Sequence, residues 1–273
     1  MASRQLLFPR TNTQDTTLNL NLGMREELAV VQDHAFESVL IRPEYTIRRA
    51  GAELSHERAR SALQSMLDDV SHAFFGKEKW YRFSDYTASE ANALRGVHEQ
   101  MEDPNPLLGL RGVRRLIANP PLLEHELDVI MPYAETDPQF NVLLPMVHEP
   151  EQVIQIKRAL ESRGYKNKLG VMMEIPSAFL LLGQISPLAD HFIIGLNDLA
   201  CFLLGTDRDS SSYSRVPPSV RRFLDAYLPK RRDNWEMAGY LGNDEISLAK
   251  SFGIKGVYVR AHELPEILRE VLA

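Results

Sequence analysis

Eight short apolar runs, separated by stretches with helical periodicity, constrain this chain more than any other feature. They are TLNLNL from Thr17, SVLI from Ser38, WYRF from Trp80, NVLLPMV from Asn141, LGVMMEI from Leu169, HFIIGL from His191, WEMAG from Trp235 and GVYVR from Gly256. Runs this short suit buried strands. Between them, EPEQVIQIKRALESRG from Glu149 places Val153, Ile156, Ala159 and Leu160 on one helical face. Alternating β and α units imply parallel strands joined by right-handed crossovers. Eight such units in 273 residues, close to the size of one such barrel, predict a single (β/α)8 TIM barrel over residues 16–273 rather than an open sheet. Residues 1–15 are polar and aperiodic, which predicts a flexible N-terminal arm. The segment Arg208–Ser219, RDSSSYSRVPPS, predicts an exposed loop that could serve as a lid.

Composition removes several function classes. Apolar residues at 44% and charged residues at 25% match a soluble globular chain with a sizeable core. The formal net charge of −6 gives no overall basic field, so nucleic acid is not an expected partner. The single cysteine, Cys201, excludes an intramolecular disulfide and a cysteine zinc cluster. The first residues hold no apolar run that reads as a signal peptide, and no stretch is long enough to span a membrane, so a cytoplasmic protein is expected. No Walker loop, GxGxxG, GxSxG or HExxH occurs, and the eight histidines are scattered without ligand spacing.

The informative residues are the polar ones at the ends of the apolar runs, because a parallel barrel gathers its chemistry at the carboxyl ends of its strands. Arg42 follows the second run and precedes Pro43, which favours an extended conformation there. Arg82 and Asp85 close the third run, Glu174 follows the five largely apolar residues that open the fifth, and Asn197 and Asp198 follow the sixth. Carboxylates at the ends of two adjacent buried strands are costly unless paired or bound to a cation. A magnesium ion suits them, since it takes one or two protein carboxylates and completes its shell with substrate oxygens and water. Arginines would then hold an anionic substrate by bidentate contacts. The alternative at this stage is a structural network in which Glu174 and Asp198 pair with Arg42, Arg82 or Arg111.

The segment GVMMEIPSAFLLLGQISPLADHFIIGLNDLACFLLGTDRDS, from Gly170 to Ser210, resembles the phosphoenolpyruvate (PEP)-binding barrel of the PEP-utilising enzymes, with PEP synthase nearest in texture. Three further matches occur in the family's order: IRPE of Ile41–Glu44, YRFSD of Tyr81–Asp85 and NPLLGLRGVR of Asn105–Arg114. The resemblance implies that Glu174 and Asp198 bind magnesium, or manganese in its place, and that Asn197 lies beside the phosphate or its substitute. It implies that Arg42, Arg82 and Arg111 hold phosphate and carboxylate oxygens, with Arg208 near the same anion. Arg82, Arg111 and Asn197 would also act on the reacting atoms. A homodimer is a further implication.

The departures from the family pattern shape the expected activity. No ATP-grasp region and no phosphohistidine domain is recognised in these residues, so phosphoryl relay would need a partner protein. Leu196 stands where the family has a small hydroxyl residue before Asn-Asp. In EMAGYLGND, Glu236–Asp244, Ala238 occupies the position at which the family carries a proton-donating cysteine, with Tyr240 and Asp244 as the nearby substitutes. Cys201 is expected to pack as a small buried residue. These features favour a magnesium-dependent lyase or aldolase acting on a 2-oxo acid through its enolate. The alternatives are a detached PEP-binding subunit of a split PEP synthase-like phosphotransferase, and a non-catalytic protein that binds PEP or pyruvate.

Overall fold

The computed structural model describes residues 16–97, 102–207, 210 and 216–271, with backbone only for 270 and 271. Eight parallel strands close in chain order. They are β1 Thr17–Leu22, β2 Ser38–Ile41, β3 Glu78–Arg82, β4 Phe140–Leu144, β5 Leu169–Met173, β6 His191–Gly195, β7 Trp235–Ala238 and β8 Gly256–Arg260. The ladder that closes the ring pairs Thr17 with Gly256 through to Asn21 with Arg260. Helices lie between successive strands, so the expected (β/α)8 barrel is the observed fold. Residues 1–15, expected as an arm, and Arg208 lie outside the described residues. Among the described residues no helix is long and apolar enough to cross a membrane.

The two-residue period of the strands sorts side chains between two cores. Leu40, Trp80, Leu143, Met172, Ile193, Ala238 and Tyr258 fill the barrel interior. Their strand neighbours, such as Val39, Val142, Val171, Ile194 and Val257, face outward into the larger core shared with the helices. The helix Pro150–Ser162 contributes Val153, Ile156 and Leu160 to that core, with Ala159 half-buried at its edge. At the lower end of the barrel the interior turns polar. Glu236 accepts hydrogen bonds from Asn19 Nδ2 at 2.9 Å and Tyr258 Oη at 2.8 Å and pairs with His191 Nε2 at 2.8 Å. The Trp80 ring stacks on His191 with centroids 4.4 Å apart.

Strand bounds depart from the sequence expectation where polar chemistry interrupts the pattern. β3 begins at Glu78 rather than Trp80. Lys79 is fully buried yet satisfied, because its Nζ donates to the carbonyls of Phe74 and Lys77 at 2.7 Å and pairs with Asp137 at 2.9 Å. β4 stops at Leu144 because Pro145 has no N–H and Met146 turns into a left-handed conformation, φ 60°. β6 stops at Gly195, and Leu196 opens a helix, Leu196–Leu204, so Asn197 and Asp198 belong to a first helical turn rather than to a strand end. Of the expected loop Arg208–Ser219, residues 208, 209 and 211–215 lie outside the described residues, and Pro218 and Ser219 belong to the helix Pro218–Tyr227. Proline suits this first position because it has no N–H to leave unpaired.

One buried carboxyl ties the helical layer to the strand that carries Arg82. Glu126, on the helix Pro120–Thr136 and 1% exposed, accepts from Tyr81 Oη at 2.8 Å, from the Ser84 amide at 2.8 Å and from Ser84 Oγ at 2.7 Å. Burial pushes this carboxyl from its usual 4.5 up to about 7 against the pull of those donors. The folded state therefore keeps a proton that the unfolded chain releases. Stability is highest below the unfolded value, declines as pH rises through 4.5 to about 7, and is level above it. Glu126→Gln is expected to flatten that decline, worth up to about 3 kcal/mol. Urea midpoints taken across this range in both proteins check it, and an unchanged decline would contradict the assignment.

Candidate active site

A solvent-open cavity of about 880 Å³ lies at the carboxyl end of the barrel. Six of the seven expected site residues line it: Arg42, Arg82, Arg111, Glu174, Asn197 and Asp198. Part of its floor is apolar, made by Leu40, Met172 and Ala238 from the interior core. These charged groups arrive from four places on the ring: Arg42 after β2, Arg82, Asp85 and Arg111 at or after the end of β3, Glu174 after β5 and Asp198 after β6. Arg42 extends β2 by donating its amide to Leu22 O at 2.8 Å, and Pro43 then starts the helix Glu44–Ala50. Arg82 is the last residue of β3, with Asp85 three residues beyond.

The arginines are paired, and their hydrogen-bonded carboxylate partners are two residues other than the expected metal ligands. Glu44 accepts from Arg42 Nε at 3.1 Å and also from Arg82 Nη2. Asp85 takes a two-pronged contact from Arg111, Nε at 2.8 Å and Nη2 at 2.6 Å. Burial alone would raise the Asp85 carboxyl, but Arg111 and Arg82 hold it at about 2. Arg82 and Arg111 remain fully charged at any working pH, since their carboxylate partners outweigh the cost of burial. Arg42 further donates to Tyr45 Oη at 2.9 Å, and its guanidinium lies over that ring.

Glu174 and Asp198 are left on the other side of this network. Among the described residues no ion pair reaches Glu174, and Asp198 has only Arg111 Nη1 at 3.6 Å from its Oδ1, an atom without a hydrogen-bond partner. Burial and the neighbouring charges of Asp198 and Asp85 push the Glu174 carboxyl up to about 8. Two hard oxygen ligands that repel one another in a buried position fit a divalent cation. Among the described residues no group of three or more His, Cys, Asp or Glu side chains could enclose an ion. A metal held by this pair would therefore draw its remaining oxygens from substrate and water.

Main-chain geometry orients the pair. The Met146 amide donates to Glu174 Oε1 at 2.7 Å, from a backbone in the left-handed region that costs a non-glycine residue about 1 kcal/mol or more. Gly195 makes room for the same carboxylate, since a Cβ there would come within 2.5 Å of Glu174 Oε2. The Asn197 amide is fixed by the Tyr240 N–H, which donates to its Oδ1 at 3.1 Å.

One sequence expectation about this site changes. Tyr240 and Asp244, the substitutes considered for the missing cysteine, line an adjoining cavity of about 740 Å³ with Glu245 and Glu263, and neither is among the residues lining the central one. Ala238 does line the central cavity, with no side chain able to donate a proton. Six polar lining residues were not singled out from sequence: Asn21, Tyr45, Arg48, Thr87, Glu90 and Arg260. The alternation of leucine and asparagine in TLNLNL was the available signal for Asn21, because it puts both asparagines on one face.

Comparison with known proteins bears on the whole chain. The model of the family described as "PEP-utilising enzyme, PEP-binding domain" matches residues 2–269. The phosphoenolpyruvate synthase of Pyrococcus furiosus is 29% identical over 227 residues, covering 77% of this chain and 28% of that protein. A multiphosphoryl transfer protein of Xanthomonas campestris is 24% identical over 282 residues, covering 97% of this chain and 33% of that one. The chain thus spans about a third of the length of the curated relatives it matches. Among solved structures, a HpcH/HpaI aldolase/citrate lyase family protein from Burkholderia cenocepacia superposes with a TM-score of 0.51 at 13% identity, covering 94% of both chains. At that identity the likeness is one of fold.

Proposed function

The chain belongs to the PEP-utilising enzymes through their PEP-binding domain, and from that premise we propose that it is a magnesium-dependent enzyme acting on a PEP- or pyruvate-type 2-oxo acid through its enolate, as a carbon–carbon lyase or aldolase. The observation that carries the lyase reading is Ala238. The cavity has the charged groups that an enolate needs, yet the wall where the family resemblance places a proton-donating cysteine carries a methyl group. Glu174 and Asp198 would hold the ion, which when bound supplies a Lewis acid for the C2 oxygen. Arg82 and Arg111 would hold the carboxylate, with Asn197 beside the C2 oxygen and Arg42 and Arg208 near any further anionic group. In cleavage of a 4-hydroxy-2-oxo acid the 4-hydroxyl loses its proton, C4 becomes a carbonyl, and the C3–C4 electron pair passes into the enolate of pyruvate. That enolate takes up at C3 the proton given up by the 4-hydroxyl, relayed through solvent water because the Ala238 wall offers none, and leaves as pyruvate. The same reading places the protein in the cytoplasm as a homodimer.

A second reading rests on the relationship to PEP synthase and on the four motifs kept in order. In it the chain is the PEP-binding part of a split phosphotransferase, exchanging phosphate with a histidine on a partner. Two assays separate the readings. Pyruvate release from 4-hydroxy-2-oxo acids with magnesium is the outcome expected here. PEP consumption only in the presence of a phosphohistidine domain, without any cleavage, would establish the second reading instead.

The arginines provide an independent check. Arg111 spans Asp85 with two nitrogens while its third faces Asp198, a geometry that a point charge cannot reproduce. Arg82→Lys and Arg111→Lys are each expected to weaken binding of oxalate, a mimic of the pyruvate enolate, by tenfold or more, from about 1.5–3 kcal/mol per charged hydrogen bond. Calorimetry with thermal melts alongside measures it. Equal oxalate affinity in both variants would assign these arginines to the fold alone.

A further inference from the structure

Two polar side chains at the closing seam of the barrel have no role in the site as described. Asn21 and Arg260 are register partners on β1 and β8, so they project to the same side of the sheet. That side is the interior, because one pleat below them Asn19 and Tyr258, also register partners, both bond to Glu236. Leu18, Leu20 and Leu22 point the other way, into the helical core. Both residues line the central cavity. In a ring of eight, β1 is opposite β5, whose end carries Glu174. A substrate held at Glu174 and Asp198 by its 2-oxo acid end would therefore extend toward Asn21 and Arg260.

The chemistry of the two side chains is complementary. Asn21 is 4% exposed and its Oδ1 has no hydrogen-bond partner, while its register partner on β2, Leu40, is apolar. An unpaired buried amide oxygen is a cost that a leucine at this position would avoid and a ligand donor would offset. The terminal amide turns readily about χ2, so the oxygen can be presented to the cavity. Arg260 is held in plane by Glu263, through Nε at 2.9 Å and Nη2 at 2.8 Å, and lies over the Tyr240 ring at 4.6 Å. Among the described residues these contacts leave its Nη1 edge for a ligand.

We propose that Asn21 and Arg260 form a subsite for the substrate end remote from the 2-oxo acid, and that this end is a carboxylate with an adjacent hydroxyl. The guanidinium offers only donors, which a carboxylate accepts. The Asn21 oxygen needs a donor, which a hydroxyl supplies and which an alkyl chain or a phosphate dianion lacks. The proposal rests on the 2-oxo acid reading above and narrows it to 2-oxo acids that end in a hydroxy carboxylate.

The test uses the full chain with magnesium and follows displacement of oxalate on a stopped-flow timescale, ahead of turnover. Three probes form a series: 4-hydroxy-2-oxoglutarate, then 2-oxoglutarate, which lacks the hydroxyl, then 2-oxobutanoate, which also lacks the distal carboxylate. Each step down the series is expected to cost the wild-type protein about tenfold in affinity. Asn21→Leu should erase the first step and Arg260→Gln the second, with oxalate, too short to reach them, as the control for folding. Wild-type affinities within about threefold of one another, or steps that survive in both variants, would overturn the subsite. Oxalate that binds without any discrimination among the probes removes this proposal alone. Failure of oxalate to bind the wild type removes the 2-oxo acid reading and the subsite with it.

Discussion

Magnesium-dependent binding of oxalate is expected to fall by at least about 100-fold when Glu174 is replaced by Gln or Asp198 by Asn, since loss of an outer-shell partner alone costs a metal site 10–100-fold. One carboxylate directly follows β5 and the other lies in the helical turn after β6, the first with a single main-chain donor and the second with an unpartnered oxygen. Their charges repel across a buried space from which the arginines have been diverted to Glu44 and Asp85. Amides at these positions keep shape and volume while removing the charge that a cation would answer. If the pair instead served the fold, neutralising one member would lower stability and leave oxalate binding intact. Calorimetry with and without magnesium, beside thermal melts of each variant, separates these cases. Undiminished oxalate binding in both variants would sink the site.

The second large effect concerns the proton. Pyruvate offered with magnesium in deuterated water is expected to exchange its methyl hydrogens slowly in the wild-type protein. Ala238→Cys should accelerate exchange by about 100-fold or more, the range that a positioned general acid or base contributes. Ala238 closes β7 and packs in the interior cluster with Leu40 and Met172, so a thiol there would face the cavity from an apolar wall. NMR of the methyl signal measures both rates. Fast exchange in the wild type would reveal a donor already in place and defeat the argument from Ala238. No acceleration in the variant would mean that no enolate forms over that wall.

The strands were legible because each is a near-continuous apolar run, and eight of them left little room for another topology. Their ends were less so. Glu78 and Lys79 fell outside the third run, since nothing in the sequence announces that a buried lysine will find two carbonyls and Asp137. Pro145 and Met146 read as strand, although the chain turns there to aim an amide at Glu174. Arginines and carboxylates next to apolar runs pointed to one end of the barrel, and the cavity gathers them. Their pairing was not legible, because which arginine meets Glu44 or Asp85 depends on loop paths that spacing does not encode. The same limit applies to Tyr240 and Asp244, near Ala238 in sequence but turned by the loop after β7 into a neighbouring cavity. Asn21 and Arg260 could be matched only once the closing ladder was known.

The Met146 contact has a bearing on how this protein would respond to a mutational scan. The group that orients Glu174 is a peptide N–H, which every residue except proline possesses, so truncating the side chain at 146 leaves the donor in place. Alanine there would register only as packing lost from a fully buried side chain, with the donor untouched. What the site demands besides that buried apolar volume is a backbone angle, so valine and isoleucine would be resisted beyond their change in volume. Gly112, at φ 57° and with its would-be Cβ 2.8 Å from that of Met146, would share the constraint from the facing loop. Two positions without a chemical function in their side chains would thus behave, in a table of variant effects, as though they belonged to the active site.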